Sequence, residues 1–150
     1  MMLLVGTETV LFSSFIGAYL VLRFAAASWP PIGTPHLNLD LSSVNTGLLI
    51  ISTVLAYRRK IGWTFLLGTL FLVLQGFEFH RLYARGLTLQ TGTYGALFYT
   101  LITCHGLHVL GGLGILGAAF RKKAWEEYAE LYWHFVTGVW LVLFGVLYIA

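Results

Sequence analysis

Five long stretches of this 150-residue chain are apolar on every side and contain few charged residues. A helix needs about 20 mostly apolar residues to cross the hydrocarbon core of a bilayer. The five stretches that meet this requirement are residues 2–24, 41–57, 61–82, 94–120 and 128–149. They occupy most of the chain, so we expect one transmembrane domain over residues 1–150. Its fold class is an all-α integral membrane bundle of five helices.

The composition excludes the other broad classes of protein. Charged residues make up 10% of the chain and apolar residues 58%, whereas a soluble domain has about 25% charged residues. An aromatic content of 16% is equally unlike a disordered chain. Residues 65–73 and 140–149 also lack the alternation of apolar and polar residues that transmembrane strands show. The spans are therefore predicted to be helices.

Basic residues predict the orientation of the bundle. Residues 58–60 and 121–123 are basic runs in two loops that an antiparallel bundle places on the same side. Lys and Arg are enriched in cytoplasmic loops, so we expect a cytoplasmic N-terminus and an external C-terminus. The net charge of +3 is then explained by membrane anchoring, and no nucleic-acid partner is expected. The first residues lack a basic n-region, and we do not expect a cleaved signal peptide.

Glu8 lies inside the first span, where an ionisable side chain is costly and usually faces protein or water. One possibility is that the chain begins close enough to the interface for Glu8 to be hydrated. The alternative is a buried carboxyl that needs a partner. From the rise of about 1.5 Å per residue, His134 lies at a similar depth, and His108 is within reach if the helices tilt. We therefore predict that Glu8 is hydrogen-bonded to one of these histidines.

His105 and His108 are three residues apart in the middle of the fourth span and share a helix face. They could bind a metal or a haem. The alternative is packing and hydrogen bonding to neighbouring helices. A haem between helices needs another histidine at matching depth, and neither His80 nor His134 satisfies this well. Cys104 is the single cysteine and cannot complete a zinc site. We expect structural histidines, with no metal, cofactor or catalytic residue in this chain.

Other polar residues of the spans are predicted to face protein or the membrane surface. Gln75 and Glu78 share a face near the outer end of the third span, where Glu78 could pair with Arg81 or Arg85. The outer half of the second span is polar, and we therefore expect it to face protein. Its polar residues are Ser42, Ser43, Asn45 and Thr46. Small residues of the fourth span are expected to allow close helix approach: Gly111, Gly114 and Ala118.

The start of the fifth span carries acidic and aromatic residues. The three acids are Glu126, Glu127 and Glu130. They are expected in a solvated interfacial turn, with ion pairs such as Lys123 with Glu127. Three aromatic residues are predicted at the membrane interface: Tyr128, Tyr132 and Trp133. The segment 28–40, which holds all three prolines, is expected to be a non-helical crossing.

Motifs on all five spans resemble subunit III of the haem-copper terminal oxidases. The most specific are Cys104-His105-Gly106-Leu107-His108 and Tyr132-Trp133-His134-Phe135-Val136. The matching stretches cover nearly the whole chain in the order of the family: residues 8–15, 44–53, 67–79, 98–109 and 132–141. The chain resembles the five-span bacterial form, because nothing in it matches the first two spans of the longer form.

The resemblance implies a non-catalytic subunit of a proton-pumping cytochrome c or quinol oxidase in the bacterial cell membrane. Such a subunit packs on subunit I, lies in the same complex as subunit II and holds phospholipids between its helices. It supports proton uptake and protects the complex during turnover, while haem and copper belong to the partner subunits. The resemblance maps the buried glutamate of the family to Glu8, its fourth-span histidines to His105 and His108, and its third-span glutamate to Glu78. Thr137 stands where the family usually has an acid.

Two other functions remain open at this point. A subunit-III-like protein associated with nitric oxide reductases shares the same motifs. A membrane cytochrome could use His105 and His108 as haem ligands. A small transporter is less consistent with the sequence, because the five spans show no inverted repeat.

Overall fold

The computed structural model describes residues 1–149, and five helices form its framework. They are α1 (Met2–Ala25), α2 (Leu39–Tyr57), α3 (Ile61–Ala84), α4 (Thr93–Arg121) and α5 (Glu126–Phe144). A 3₁₀ turn (Lys123–Trp125) precedes α5, and a π-helical turn (Gly145–Ile149) follows it. Each of the five spans is long and apolar enough to cross a membrane. The all-α, five-span architecture predicted from hydropathy is confirmed, and residues 1–149 contain no strand.

Two helices begin earlier than their apolar residues indicate. Helix α2 begins at Leu39, because the Asn38 side chain accepts a hydrogen bond from the Leu41 N–H at 3.3 Å. A side-chain oxygen at this position satisfies one of the free N–H groups of the first turn. Helix α5 begins at Glu126, and negative charge in a first turn is favoured by the helix dipole. Glu126, Glu127 and Glu130 therefore lie in the first two turns of α5. That these turns lie at the membrane interface stays a prediction.

The helices α2, α3, α4 and α5 form a four-helix group in which α2 lies against α3 and α5, and α4 packs against the same two helices. Helix α1 lies outside this group, against α4 and α5. Within the described chain, α1 buries only Phe12 and Tyr19. The core therefore sits among α2–α5, and most of α1 faces outward.

The two basic loops lie at the same end of the bundle, as an antiparallel arrangement requires. Arg59, between α2 and α3, has its guanidinium 3.7 Å from a Glu126 carboxylate oxygen and 4.0 Å from one of Glu130. These contacts connect the α2–α3 loop to the start of α5. In residues 1–149, Glu126 and Glu130 lie near Arg59, and Glu130 also lies 3.7 Å from His134, four residues along the helix. The predicted ion pair of Lys123 with Glu127 is not formed in this part of the chain.

Helices α3 and α4 pack closely around Trp133, whose indole ring is fully buried. A Cβ atom added to Gly68 of α3 would overlap this ring, and one added to Gly112 of α4 would lie 3.0 Å from it. Small residues thus allow the helices to approach closely, as expected, but they do so at Gly68 and Gly112 and not at the predicted positions. A Cβ atom added to Gly114 would meet nothing within 4 Å, and one added to Gly111 would make only an ordinary contact.

The aromatic residues at the start of α5 are divided between surface and interior. Tyr128 is half exposed, as expected for an interface residue, whereas Tyr132 and Trp133 are buried. The interface prediction is wrong for these two residues. It considers only their position along the span and not the direction in which the helix points each side chain. Buried Tyr and Trp carry polar hydrogens that need partners, and both partners belong to the polar groups described next.

Candidate functional site: polar groups buried among the helices

The polar face of helix α2 points to the interior of the bundle. The buried polar residues of this face follow helical spacing: Ser42, Asn45, Thr46 and Ser52. Ser43 is exposed, so within this chain it does not face another helix as its polar neighbours do. Lipid offers no hydrogen-bond partners, and a helix with this pattern is therefore favoured with its polar side against other helices.

Glu78 is 3% exposed and lies opposite the polar face of α2. Its two carboxyl oxygens lie 2.7 and 2.8 Å from the Ser42 hydroxyl, which donates its single proton to one of them. One turn away, the Asn45 amide donates to the Gln75 side-chain oxygen at 3.1 Å. Glu78 therefore has its hydrogen bond from α2. Within residues 1–149 it forms no ion pair with Arg81 or Arg85, so the possible pairing with these arginines is not observed. Gln75 and Glu78 do share one face, as their spacing predicts.

Two tryptophans of α5 donate hydrogen bonds to hydroxyls of α2. The Trp133 indole N–H donates to Ser52 at 2.7 Å, and the Trp140 indole N–H donates to Thr46 at 2.9 Å. Sequence reasoning missed both contacts. The spacing of seven residues, which puts the two indoles on one face of α5, was a signal that could have indicated them.

His105 is 1% exposed and is surrounded by aromatic rings from three other helices. Its ring stacks on Trp140 at a centroid distance of 5.1 Å and meets Phe71 and Phe12 edge-on at 6.2 and 6.4 Å. Neither ring nitrogen has a hydrogen-bond partner in residues 1–149. The predicted packing role matches this position, but the predicted hydrogen bond to a neighbouring helix is not formed.

His108 links α4 to α1. Its Nδ1 atom lies 2.6 Å from the Cys104 carbonyl oxygen, which can only accept, so this nitrogen carries a proton. Its Nε2 atom faces Glu8 Oε1 at 3.6 Å, beyond the usual length of a hydrogen bond. Phe12 packs against the same ring at a centroid distance of 4.9 Å.

Glu8 lies where α1, α4 and α5 meet, and its side chain is 14% exposed. The Tyr132 hydroxyl of α5 donates to Glu8 Oε1 at 3.4 Å. Of the two predicted histidine neighbours, the structure places His108 beside Glu8. The hydrogen bond itself comes from Tyr132, which the sequence analysis did not indicate as a partner. Glu8 is thus a mostly buried carboxyl with polar neighbours on two other helices.

His134 faces α2 and not α1, so its predicted contact with Glu8 is wrong. Its Nδ1 atom lies 3.1 Å from the Thr53 hydroxyl, and its Nε2 atom lies 3.7 Å from Glu130. The Thr53 hydroxyl in turn donates to the buried Thr137 hydroxyl at 3.1 Å. Equal depth in the membrane did not bring His134 and Glu8 together, because the two side chains project from different sides of the bundle.

The buried polar groups connect helices by hydrogen bonds. In residues 1–149, no three His, Cys, Asp or Glu side chains are grouped as metal ligands would be. The arrangement instead provides two carboxyl sites: Glu78 between α2 and α3, and Glu8 between α1, α4 and α5. Such groups can hold helices in register and can accept or release a proton.

Comparison with known proteins identifies the family. No family model matches the chain. The chain is 36% identical to cytochrome c oxidase subunit 3 of Synechocystis sp., over 95% of the chain and 70% of the relative. It is 34% identical to the protein of that name from Bacillus subtilis, over 98% of the chain and 83% of the relative. The protein of that name from Thermostichus vulcanus is also 34% identical, over 95% of the chain and 82% of the relative. With such similarity along nearly its whole length, this multi-pass membrane chain belongs to the cytochrome c oxidase subunit 3 family.

Proposed function

We propose that this chain is the non-catalytic subunit III of a proton-pumping haem-copper terminal oxidase in the bacterial cell membrane. It packs on subunit I, lies in one complex with subunit II and supports proton uptake, stability and lipid binding. The haem and copper are held by those partner subunits. The N-terminus lies in the cytoplasm and the C-terminus outside, as the basic loops favour.

The observation that carries this proposal is the similarity to proteins named cytochrome c oxidase subunit 3, which extends over at least 95% of the chain for the three relatives above. Similarity of this extent includes all five spans. It therefore favours the oxidase role over the nitric oxide reductase and membrane cytochrome alternatives.

The position of α1 supports a role in contacting a larger partner. Most of its residues face outward, and its few interior contacts centre on Phe12, Tyr19 and Glu8. A partner helix could cover this outward face, while Glu8 holds α1 against α4 and α5 through Tyr132 and His108. Glu8 would then set the position of α1 beside the proton-uptake path of subunit I without itself performing redox chemistry.

Grooves on the outside of the bundle support lipid binding. One groove of about 300 Å³ lies between α3 and α4, lined by residues such as Leu72, Gly76 and Gly106. Another of about 330 Å³ lies between α1 and α5, lined by Ile16, Gly138 and others. Both are lined mainly by apolar residues, which suits contact with acyl chains.

The test is isolation of the tagged chain from its own membranes in a mild detergent. We expect mass spectrometry to identify two larger oxidase subunits, and the visible spectrum of the preparation to show haem. The chain separated from these partners should contain no stoichiometric haem or copper. Haem that stays with the separated chain, or a preparation with no oxidase subunits, would contradict the proposal.

The supporting role has its own test. Oxidase complex lacking this chain should begin turnover at a normal rate and lose activity faster than complete complex over many turnovers. Adding the chain back should restore the lifetime. Equal lifetimes with and without the chain would show that it does not protect the complex.

A further inference from the structure

A cavity of about 470 Å³ lies at the end of the bundle that carries the two basic loops, between the last turns of α4 and the 3₁₀ turn before α5. Six residues line it: Gly114, Gly117, Ala118, Arg121, Lys122 and Trp125. At a rise of about 1.5 Å per residue, the stretch from Gly114 to Lys122 covers about 12 Å along the helix. The cavity therefore extends from the charged end of α4 toward the apolar part of the span.

The inner half of the cavity is open because α4 has almost no side chains there. A Cβ atom added to Gly114 or Gly117 would meet nothing within 4 Å. Free space thus lies beside Gly114, where the sequence predicted close helix packing. The backbone groups of α4 at this depth are bonded within the helix, and lipid offers them no other partner. Apolar groups are therefore favoured to fill this half.

The outer half of the cavity carries two positive charges. Within residues 1–149, neither Arg121 nor Lys122 forms an ion pair. The acids in the first two turns of α5 do not neutralise them, since Glu126 and Glu130 lie near Arg59 instead. A ligand that carries negative charge is therefore favoured at this end of the cavity.

Trp125 completes the outer half. Its side chain is 42% exposed, and its ring lies 6.3 Å from that of Tyr128, which is half exposed. Tryptophan is enriched where apolar chains meet polar head groups, because its ring is apolar and its indole N–H is a hydrogen-bond donor. The cavity thus changes from apolar to cationic along α4, with an aromatic residue at the charged end.

We infer that this cavity is a binding site for an anionic phospholipid of the phosphatidylglycerol type. The phosphate lies between the Arg121 guanidinium and the Lys122 ammonium, and one acyl chain follows α4 over Gly117 and Gly114. The guanidinium binds phosphate oxygens through paired N–H groups, and the ammonium adds a point charge. A lipid matches both halves of the cavity. A free phosphate ion or an acidic segment of a partner protein matches only the charged half.

This inference names a lipid class and a site for the lipid binding proposed above, and its role in an oxidase rests on that proposed function. The head group is specified because the two cations have no partner in residues 1–149. A zwitterionic lipid such as phosphatidylethanolamine would place its own ammonium group beside them. The apolar grooves between α3 and α4 and between α1 and α5 give no such preference.

The experiment uses the full chain, with the partners that purify with it, in phosphatidylethanolamine vesicles that contain a small fraction of photoreactive lipid. Two probes have the same acyl chains, with a diazirine close to the ester group, and differ only in the head group: phosphatidylglycerol or phosphatidylethanolamine. After illumination, peptide mass spectrometry measures the label on residues 114–122. We expect the phosphatidylglycerol probe to label this segment several-fold more strongly.

Two neighbouring lysines provide a matched pair of variants. Lys122→Gln removes a charge from the cavity and should lower the label from the phosphatidylglycerol probe about fivefold, the contribution expected of one basic residue near anionic lipid. Lys123→Gln removes the same charge one residue further along, where the side chain does not line the cavity, and should leave the label unchanged.

A second pair of variants tests the inner half. Gly114→Leu fills the space beside α4 and should lower the label from both probes. Gly47→Leu introduces the same side chain at a glycine of α2 that also has free space beside it, and it should have no effect. If Gly114→Leu does not fold, the two lysine variants decide the question alone.

Four results would overturn the inference. The first is equal labelling by the two probes, and the second is an equal effect of Lys122→Gln and Lys123→Gln. The third is a loss of label with inorganic phosphate that exceeds the loss with sodium chloride at the same ionic strength, which would indicate a site for free anions. The fourth is a segment that neither probe labels because a co-purified subunit covers it.

The labelling does not depend on oxidase activity. A chain that purifies with oxidase subunits and shows no head-group preference would overturn this inference alone. A clear preference in a chain that purifies without oxidase subunits would contradict only the proposed function.

Discussion

Helix α1 and the four-helix group α2–α5 bury polar side chains in different ways. In the group, the bonds from Ser42 to Glu78 and from Trp133 to Ser52 are as short as 2.7 Å, between residues that are almost fully buried. On α1, Glu8 has contacts of 3.4 and 3.6 Å and is partly exposed. The difference indicates that α2–α5 hold their own arrangement, whereas α1 is held by a few longer contacts and by whatever covers its outer face.

The largest expected effect is in the four-helix group at Trp133. Trp133→Ala removes a fully buried ring between Gly68 and Gly112 and leaves Ser52 without its donor. We expect the free energy of unfolding to fall by about 3–5 kcal/mol, measured by thermal or denaturant unfolding in detergent. Trp63→Ala removes the same side chain from an exposed site and should change stability by less than about 0.5 kcal/mol. Similar losses for both variants would mean that the group is not tightly packed at Trp133.

The next effect concerns the polar contact between α2 and α3. Ser42→Ala leaves the buried Glu78 carboxyl without its donor, and a lost partner of this kind costs about 1–3 kcal/mol. The neighbouring variant Ser43→Ala, on the exposed side of α2, should be neutral within about 0.5 kcal/mol. Thermal unfolding of the two variants in one detergent gives the comparison. Equal stability of Ser42→Ala and wild type would show that the hydrogen bond to Glu78 contributes little.

A smaller effect is expected on α1. Glu8→Leu leaves the Tyr132 hydroxyl and His108 Nε2 without their shared neighbour, and we expect a loss of about 0.5–1.5 kcal/mol. Glu8→Gln keeps an oxygen that can accept from Tyr132 and should be close to wild type. Hydrogen exchange should show the loss in α1 and leave α2 and α3 protected. In the complex, Glu8→Leu should lose activity faster over many turnovers.

The outcome that would refute this role is specific. If Glu8→Gln and Glu8→Leu behave alike in both measurements, the hydrogen bond accepted by the side chain at position 8 does not hold α1 in place. If exchange increases in all five helices, α1 is not the separate element that the contact lengths indicate.

The smallest effect is expected at the ion pairs of the α2–α3 loop. Arg59 lies at a distance of 3.7–4.0 Å from Glu126 and Glu130 and its side chain is 59% exposed. Arg59→Ala should cost at most about 1 kcal/mol, and high salt should reduce the difference. Arg58→Ala removes an exposed charge next to it and serves as the control. A loss well above that of Arg58→Ala at high salt would indicate a structural role beyond charge pairing.

The sequence alone determined the all-α, five-span architecture and the family. Transmembrane spans can be recognised in a sequence because the free energy of placing each residue in lipid adds up along the chain. This sum does not depend on which helices pack together. The resemblance placed functional interest on Glu8, His105, His108 and Glu78. The polarity of the outer half of the second span indicated that it would face protein, and three of its four polar residues are buried: Ser42, Asn45 and Thr46, but not Ser43.

Only the tertiary structure decided which side chains meet. Glu8 and His134 lie at similar depth by counting residues, yet one faces α4 and α5 and the other faces α2. Gly112 accommodates Trp133, whereas the nearby Gly111 and Gly114 do not. Successive helical residues point about 100° apart, so the rotation and tilt of each helix select the partners. Those angles result from packing all five helices together, and no local pattern in the sequence fixes them.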